Sequence, residues 1–259
     1  MNAKVFDAYS AYYDLLYQDK DYATETKYIN TLINSYSKNA ESILELGSGT
    51  GIHASLLAKI GYIITGIDQS KTMLLKAEER KNNLPESVAN RVSFYEGDIR
   101  SYVGNKKFDV VISLFHVMSY METDTDLEKA IQTAANNLKK GGLFIFDCWN
   151  GSGVLNEKPI SRTKNYENEM VLVKRKSTPK MFPEKNIVEV HFDIHIQNKI
   201  TKEETILQET HRMHYLFTDE LKNLLKKNNL EIIHKEEWLS KKLLSKTSWN
   251  ACYVCRVGT

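Results

Sequence analysis

Residues Leu44 to Asp68 read LELGSGTGIHASLLAKIGYIITGID. An apolar run, a glycine-dense turn, a helical stretch and a second apolar run follow one another without a gap. That order predicts strand, crossover helix and strand, and two strands joined this way lie parallel. A parallel pair needs helices on its faces, so this stretch commits the chain to an α/β sheet.

The rest of the chain extends the pattern. Ser42–Leu46, Tyr62–Asp68, Val92–Asp98, Phe108–Phe115 and Gly142–Asp147 read as five strands. Helical spacing lies between them, at Ile52, Leu56 and Lys59, and at Met73, Leu74 and Ala77. It is clearest at Leu127, Ile131, Ala134 and Leu138, where Thr125 and Glu128 read as a capping box and Gly141 follows the lysines. The rhythm stops at Asn150. From there to Phe217 no helix is predicted, and three segments alternate apolar and polar residues as strands with one wet face do. The lysines from Lys164 to Lys185 read as a solvated face or a loop. Thr218 then caps a helix bearing Leu221, Leu224 and Leu225, followed by two closing strands. The organisation expected is an α/β domain over 1–149 and 218–259, interrupted by a small antiparallel sheet over 150–217.

Composition excludes several function classes. The 259 residues carry 35 Lys+Arg against 33 Asp+Glu, a formal charge of +2, so no basic field points to nucleic acid. No apolar run approaches the roughly 20 residues of a membrane span, and the acidic, aromatic N-terminus does not read as a signal peptide. Three cysteines fit a reducing compartment, and the expectation is a cytoplasmic protein. Cys252 and Cys255 form a C-x-x-C, but residues three apart in a strand face opposite sides. They read as two small buried residues.

The glycine turn lies at the carboxyl edge of the sheet, where α/β folds bind ligands. No Gly-Lys-Ser/Thr follows it, so it is not a Walker loop. Gly47, Gly49 and Gly51 are spaced Gly-x-Gly-x-Gly, not the Gly-x-Gly-x-x-Gly of a dinucleotide site. Glu45 would repel a pyrophosphate and suits a ligand with positive charge. Asp68, at the tip of the second strand, is placed to accept hydrogen bonds from a ribose. Asp98, after the third, is placed to meet an adenine amino group.

Glu45-Leu-Gly-Ser-Gly-Thr-Gly51, Asp68 and Gly97-Asp98-Ile99, in that order and each at a strand's end, resemble the motifs of class I S-adenosylmethionine-dependent methyltransferases. The resemblance covers about Tyr22 to Asp147. It implies a doubly wound, Rossmann-like, seven-stranded sheet whose last strand is antiparallel, and S-adenosylmethionine as cofactor. On this reading the glycines let the backbone approach the methionyl part and Glu45 orients their turn. Met73 and Ile99 pack on adenine, Leu114 and Phe115 line the methyl donor, and Tyr13 and Tyr22 close over the sulfonium. Met73 reads equally well as helix core.

A narrower resemblance covers most of the chain. AYYDLLYQDKDYATE, SLFHVMSYM, FDCWN, VEVHFDIHI and ETHRMHYLFT are similar, in order, to segments of the N,N-dimethyltransferases of nucleotide-linked deoxyamino sugars. Where those enzymes tend to carry a histidine five residues past the fourth-strand Phe, this chain has Tyr120, with a histidine earlier at His116. Methyl transfer to an amine is mainly a matter of alignment. A group that accepts the amine's proton suffices as base, so His116 and Tyr120 are the candidates, with Tyr13 as a positioner. Trp149 stacks on a base or sugar, or pins the fifth strand to the insertion. His211 and Arg212 belong to the acceptor side, Arg212 either for a diphosphate or carboxylate or in a surface ion pair. No metal is expected: His191 and His195 stand about 13 Å apart by strand rise, and His211 and His214 face opposite sides. A nucleic-acid acceptor is not expected either, because SLFHVM lacks the Pro-Pro-aromatic motif of enzymes that methylate base amines. The acceptor is then a small molecule, with a homodimer through the insertion possible. The rival readings are an O- or N-methyltransferase of another metabolite, and a module that binds the cofactor without turnover.

Overall fold

The computed structural model describes residues 10–258; of Ser10, Ala11 and Tyr12 only the backbone is described. Two sheets organise the chain. The larger is built from β1 (Ser42–Leu46), β2 (Ile63–Asp68), β3 (Val92–Glu96), β4 (Phe108–Ser113), β5 (Leu138–Trp149), β10 (Leu230–Glu237) and β11 (Asn250–Val257). Its order is β10-β11-β5-β4-β1-β2-β3, parallel except for β11, which runs antiparallel to both β5 and β10. The smaller sheet, β6 (Arg162–Glu167), β7 (Val171–Phe182), β8 (Ile187–Asn198) and β9 (Glu204–His214), is antiparallel throughout.

Alternation along the strands divides the core between the two faces of the large sheet. On β5, Phe144, Phe146 and Cys148 pack with Leu127, Ile131 and Ala134 of α6 (Asp124–Asn137) and Leu221 and Leu225 of α8 (Thr218–Lys227). Leu143 and Ile145 face the other way, onto Ile29 and Ile33 of α2 (Tyr22–Tyr36) and Leu57 of α3 (Ile52–Lys59). The same alternation separates Cys255, in the first cluster, from Cys252, in the second, and both thiols are fully buried.

The small sheet is joined to the large one at two places. Tyr166, Val173, Ile194 and Ile196 pack on Leu16 of α1 (Ser10–Leu16) and Met73 of α4 (Lys71–Asn82). At the other end Val188 and Tyr215 pack with Val154 of α7 (Gly151–Asn156) and with Trp149 and Trp249. A four-residue helix, α5 (Glu86–Ala89), precedes β3. Among the described residues no helix is long and apolar enough to cross a membrane.

The structure departs from the sequence expectation at five places. Leu138 and the two lysines after it, expected in the last turn of α6, open β5 instead. Residues 151–156 form a helical turn and a half where none was expected. Residues 162–167, expected as loop or solvated face, form a fourth strand: it is an edge strand, and only Tyr166 on it is buried. The cap of α6 is Thr123, whose hydroxyl accepts the Asp126 N–H at 3.1 Å, so the helix starts earlier than a Thr125–Glu128 box would allow. Phe217, not Thr218, precedes the first turn of α8, and the Thr218 hydroxyl pairs with Tyr253 Oη at 2.8 Å.

Candidate active site

The strand order reverses between β4 and β1, and the segments leaving their carboxyl ends diverge there. A cavity fills the gap. Its walls come from the glycine turn after β1, Asp68 after β2, Leu114 to Val117 after β4, Trp149 after β5, the tyrosines of α1, and Val190, Phe192, His211 and Met213 of the small sheet.

Glu45 ends in the floor, 1% exposed. One carboxyl oxygen lies 3.8 Å from Nδ1 of His53, whose Nε2 is 2.8 Å from Glu25. The other has no hydrogen-bond partner. Burial, reinforced by the charge of Asp68, pushes the Glu45 carboxyl up to about 8. Asp68 accepts the Gly49 N–H on Oδ2 and the Ser70 N–H on Oδ1, both at 2.9 Å; burial raises its pKa as well. Asp68 thus holds the glycine turn at Gly49, and the Ile67 carbonyl holds it at the Gly47 and Ser48 N–H groups, each at 2.9 Å.

The three glycines do different work. Gly47 and Gly49 line the cavity, both with φ positive. Gly51 does not line it. A Cβ there would stand 2.5 Å from Phe94 Cζ, at a φ of +72°. Gly51→Ala is expected to cost roughly 2–4 kcal/mol through strain and overpacking. A urea melt tests this, and an unchanged midpoint would exclude the packing role.

Cation-binding aromatics edge the site. The Lys20 ammonium, ion-paired with Glu25, sits 4.4 Å from the ring centroids of both Tyr22 and Phe115. The Tyr22 hydroxyl is buried without a partner, and burial raises its pKa. Tyr13 also lines the cavity, as does Tyr17 beside it, which the sequence reading missed. Between them, Asp14 ties α1 to the glycine turn, accepting from Thr50 Oγ1 at 2.9 Å and from Arg80 Nη2 at 2.7 Å.

Phe115 and His116 both hold left-handed backbone, φ 65° and 61°. The His116 N–H donates to Asp147, 3.1 and 3.2 Å from its two oxygens. His116 Nδ1 lies 2.6 Å from Asp147 Oδ2 without hydrogen-bond alignment. Across the cavity Tyr120 Oη is 2.7 Å from His211 Nδ1, and His211 Nε2 is 3.2 Å from Glu209. Trp149 lines the cavity and packs edge-to-face on Trp249.

Leu114 and Met73 are at the wall, both nearly buried. Besides Gly51, three expected residues are elsewhere. Asp98 is clasped by Arg100 through Nε and Nη2, at 2.6 to 3.0 Å. Burial would raise its carboxyl, and Arg100 more than offsets this, leaving it lowered. Ile99 is buried in the core beside Leu46 and Ile67. Arg212 points away from the cavity, held by Glu122 and Glu189, each at 2.7 Å. Among the described residues no cluster of three or more His, Cys, Asp or Glu has the arrangement of a metal site.

Residues 43–142 match a family model described as a methyltransferase domain. Along 97% of this chain and 98% of the other, the structure superposes on DesVI of Streptomyces venezuelae with TM-score 0.80 at 22% identity. The sugar N-methyltransferase KedS8 from Streptoalloteichus gives TM-score 0.80 at 18% identity, covering 95% of this chain and 93% of the other. The fold is that of the class I S-adenosylmethionine-dependent methyltransferases. In sequence, a dTDP-3-amino-3,4,6-trideoxy-α-D-glucopyranose N,N-dimethyltransferase of Streptomyces venezuelae is 32% identical over 139 residues, 53% of this chain and 55% of the relative. The dTDP-3-amino-3,6-dideoxy-α-D-glucopyranose N,N-dimethyltransferase of Streptomyces fradiae is 27% identical over 139 residues, 53% of this chain and 51% of its own. The chain thus spans about half the length of the relatives it matches in sequence.

Proposed function

We propose that this chain methylates the amino group of a nucleotide-activated deoxyamino sugar, with S-adenosylmethionine as methyl donor. The observation that carries the reading is one cavity with two kinds of wall. One wall is the glycine turn with Glu45 and Asp68; the other, facing it, is the inserted sheet with His211. The two relatives named above act on dTDP-linked amino sugars by their names, which supports the acceptor class.

The residues fit the donor. Glu45 offers a buried, unpartnered carboxyl oxygen to a positive group. Tyr22 and Phe115 already hold a cation between them. Asp68 keeps spare lone pairs for ribose hydroxyls. When bound, the donor supplies a methyl group on a positively charged sulfur. The chain's own residues then have three tasks: to hold the amine in line, to exclude water with the α1 tyrosines, and to remove a proton from the amine. His116, Tyr120 and Tyr13 are the residues we assign to the last task and to positioning. Trp149 is our candidate to stack on the acceptor. We extend the reading to the cytoplasm, to a small-molecule rather than nucleic-acid acceptor, and to the segment 150–217 as acceptor wall and homodimer surface.

Calorimetry tests it. S-adenosylhomocysteine is expected to bind the chain, and thymidine diphosphate the resulting complex. Binding of the product with neither thymidine nor uridine diphosphate would discard the nucleotide-sugar acceptor. No binding of the product would discard the methyltransferase reading.

A further inference from the structure

We propose that Tyr120, His211 and Glu209 form a relay that takes the proton from the acceptor's ammonium group, Glu209 being its positioning residue. The inference rests on the cavity being that of an amine methyltransferase.

Tyr120 closes the 3-10 turn that follows β4, whereas His211 and Glu209 come from β9 of the inserted sheet. The relay therefore exists only where the two sheets meet. Glu209 and His211 are two residues apart on a strand and share a face. An ionised carboxylate only accepts, so its contact with His211 Nε2 at 3.2 Å puts the imidazole proton on that nitrogen. Nδ1 is then left with a lone pair, and the contact at 2.7 Å makes the Tyr120 hydroxyl the donor. Donor and acceptor roles thus run one way, from the cavity toward the carboxylate.

Burial supports the assignment. His211 is 6% and Glu209 9% exposed, and the ring of Phe192 lies edge-on to the imidazole at 5.1 Å. The second Glu209 oxygen is buried without a hydrogen-bond partner, an expensive arrangement for a group whose only task is to fill space. Burial, with Tyr17 and Glu209 as neighbours, raises the pKa of the Tyr120 phenol, so the phenol is a conduit and not the resting base. As the ammonium's proton moves onto the Tyr120 oxygen, the phenol's own proton moves to Nδ1. The amine keeps the electron pair of the broken N–H bond and becomes the nucleophile. The imidazolium is held by Glu209 until it loses the proton to water.

The first measurement needs no acceptor. Nitrogen-15 chemical shifts of His211 in the ligand-free protein are expected to report the Nε2–H tautomer, with Glu209→Gln shifting it toward Nδ1–H. An Nδ1–H tautomer in the wild type would overturn the relay. The second is turnover of a thymidine diphosphate-linked amino sugar. Tyr120→Phe and Glu209→Gln are expected to lower kcat about a hundredfold, with acceptor KM and affinity for S-adenosylhomocysteine within about twofold of the wild type. Unchanged kcat in both variants would overturn the proposal. A wild type that binds the product yet methylates no such sugar fails on the acceptor reading instead, and the tautomer still decides the relay.

Discussion

Glu45→Gln is expected to make the ligand-free protein more stable at pH 8 while removing most of its affinity for S-adenosylhomocysteine. The carboxyl is fully buried and its value is lifted to about 8 from the ordinary 4.5. Between those two values the folded chain holds a proton that the unfolded chain has released. Stability is therefore full below about pH 4.5 and is lost as pH rises toward 8. Near pH 8 the loss is on the order of 4 kcal/mol. A glutamine avoids it and leaves a buried amide imperfectly paired, at about 1–3 kcal/mol. The net gain is roughly 2 kcal/mol, read as a higher Tm. A ligand ammonium reverses the preference, since it favours the carboxylate. Binding at pH 7 should then release close to one proton, visible as a buffer-dependent binding enthalpy, and affinity should climb as pH rises from 6 to 8. The variant should bind about 10- to 100-fold more weakly, the loss of one charged hydrogen bond. A variant with wild-type affinity, and a wild type whose affinity ignores pH, would together dismiss Glu45 as the cation's partner.

The same residue shows why much of the site was legible in the sequence. Glu45, Asp68, Leu114 and Trp149 sit at or just beyond strand ends, and apolar runs bounded by glycine or acid mark those ends. The β2–β3 pairing carries Asp68 to the carboxyl edge as the pattern required. What escaped was decided by partners distant in the chain or by neighbours overlooked. Asp98 was expected in the site, yet Arg100, two residues on, neutralises it. Arg212 was grouped with His211, although adjacent strand residues face opposite sides; His211 faces the cavity and Arg212 does not. Glu209 lies two before His211 on the same strand, so the period of two puts both on one face. Strand β6 gave no signal because a sheet edge with one buried residue needs no apolar alternation. His53 was legible only as a helix residue: its link to Glu25 is a tertiary contact.

Asp147→Ala is the second variant with a large expected effect, although Asp147 does not line the cavity. Phe115 and His116 occupy the left-handed region in succession, and each such non-glycine residue costs on the order of 1–3 kcal/mol. Something must hold them there. The His116 N–H bond to Asp147 is one restraint. Another is the packing of Phe115, edge-to-face on Tyr17 at 4.9 Å. Asp147 is 1% exposed, so no water replaces its carboxylate when it is cut back to a methyl group. The orphaned N–H then costs about 1–3 kcal/mol. The turn is expected to relax toward ordinary dihedrals, carrying the Phe115 ring out of the cavity wall. Tm should fall by several degrees, about 2–4 °C per kcal/mol in a chain of this size, and turnover about a hundredfold, the effect of a 1 Å misplacement. Asp147→Asn separates two roles: its amide oxygen still accepts the N–H, so stability should stay near wild type. If turnover falls with it, the charge facing the His116 imidazole matters; if turnover stays, Asp147 acts only through the backbone. An alanine variant with wild-type Tm and turnover would mean that the strained turn is held by Phe115 packing alone.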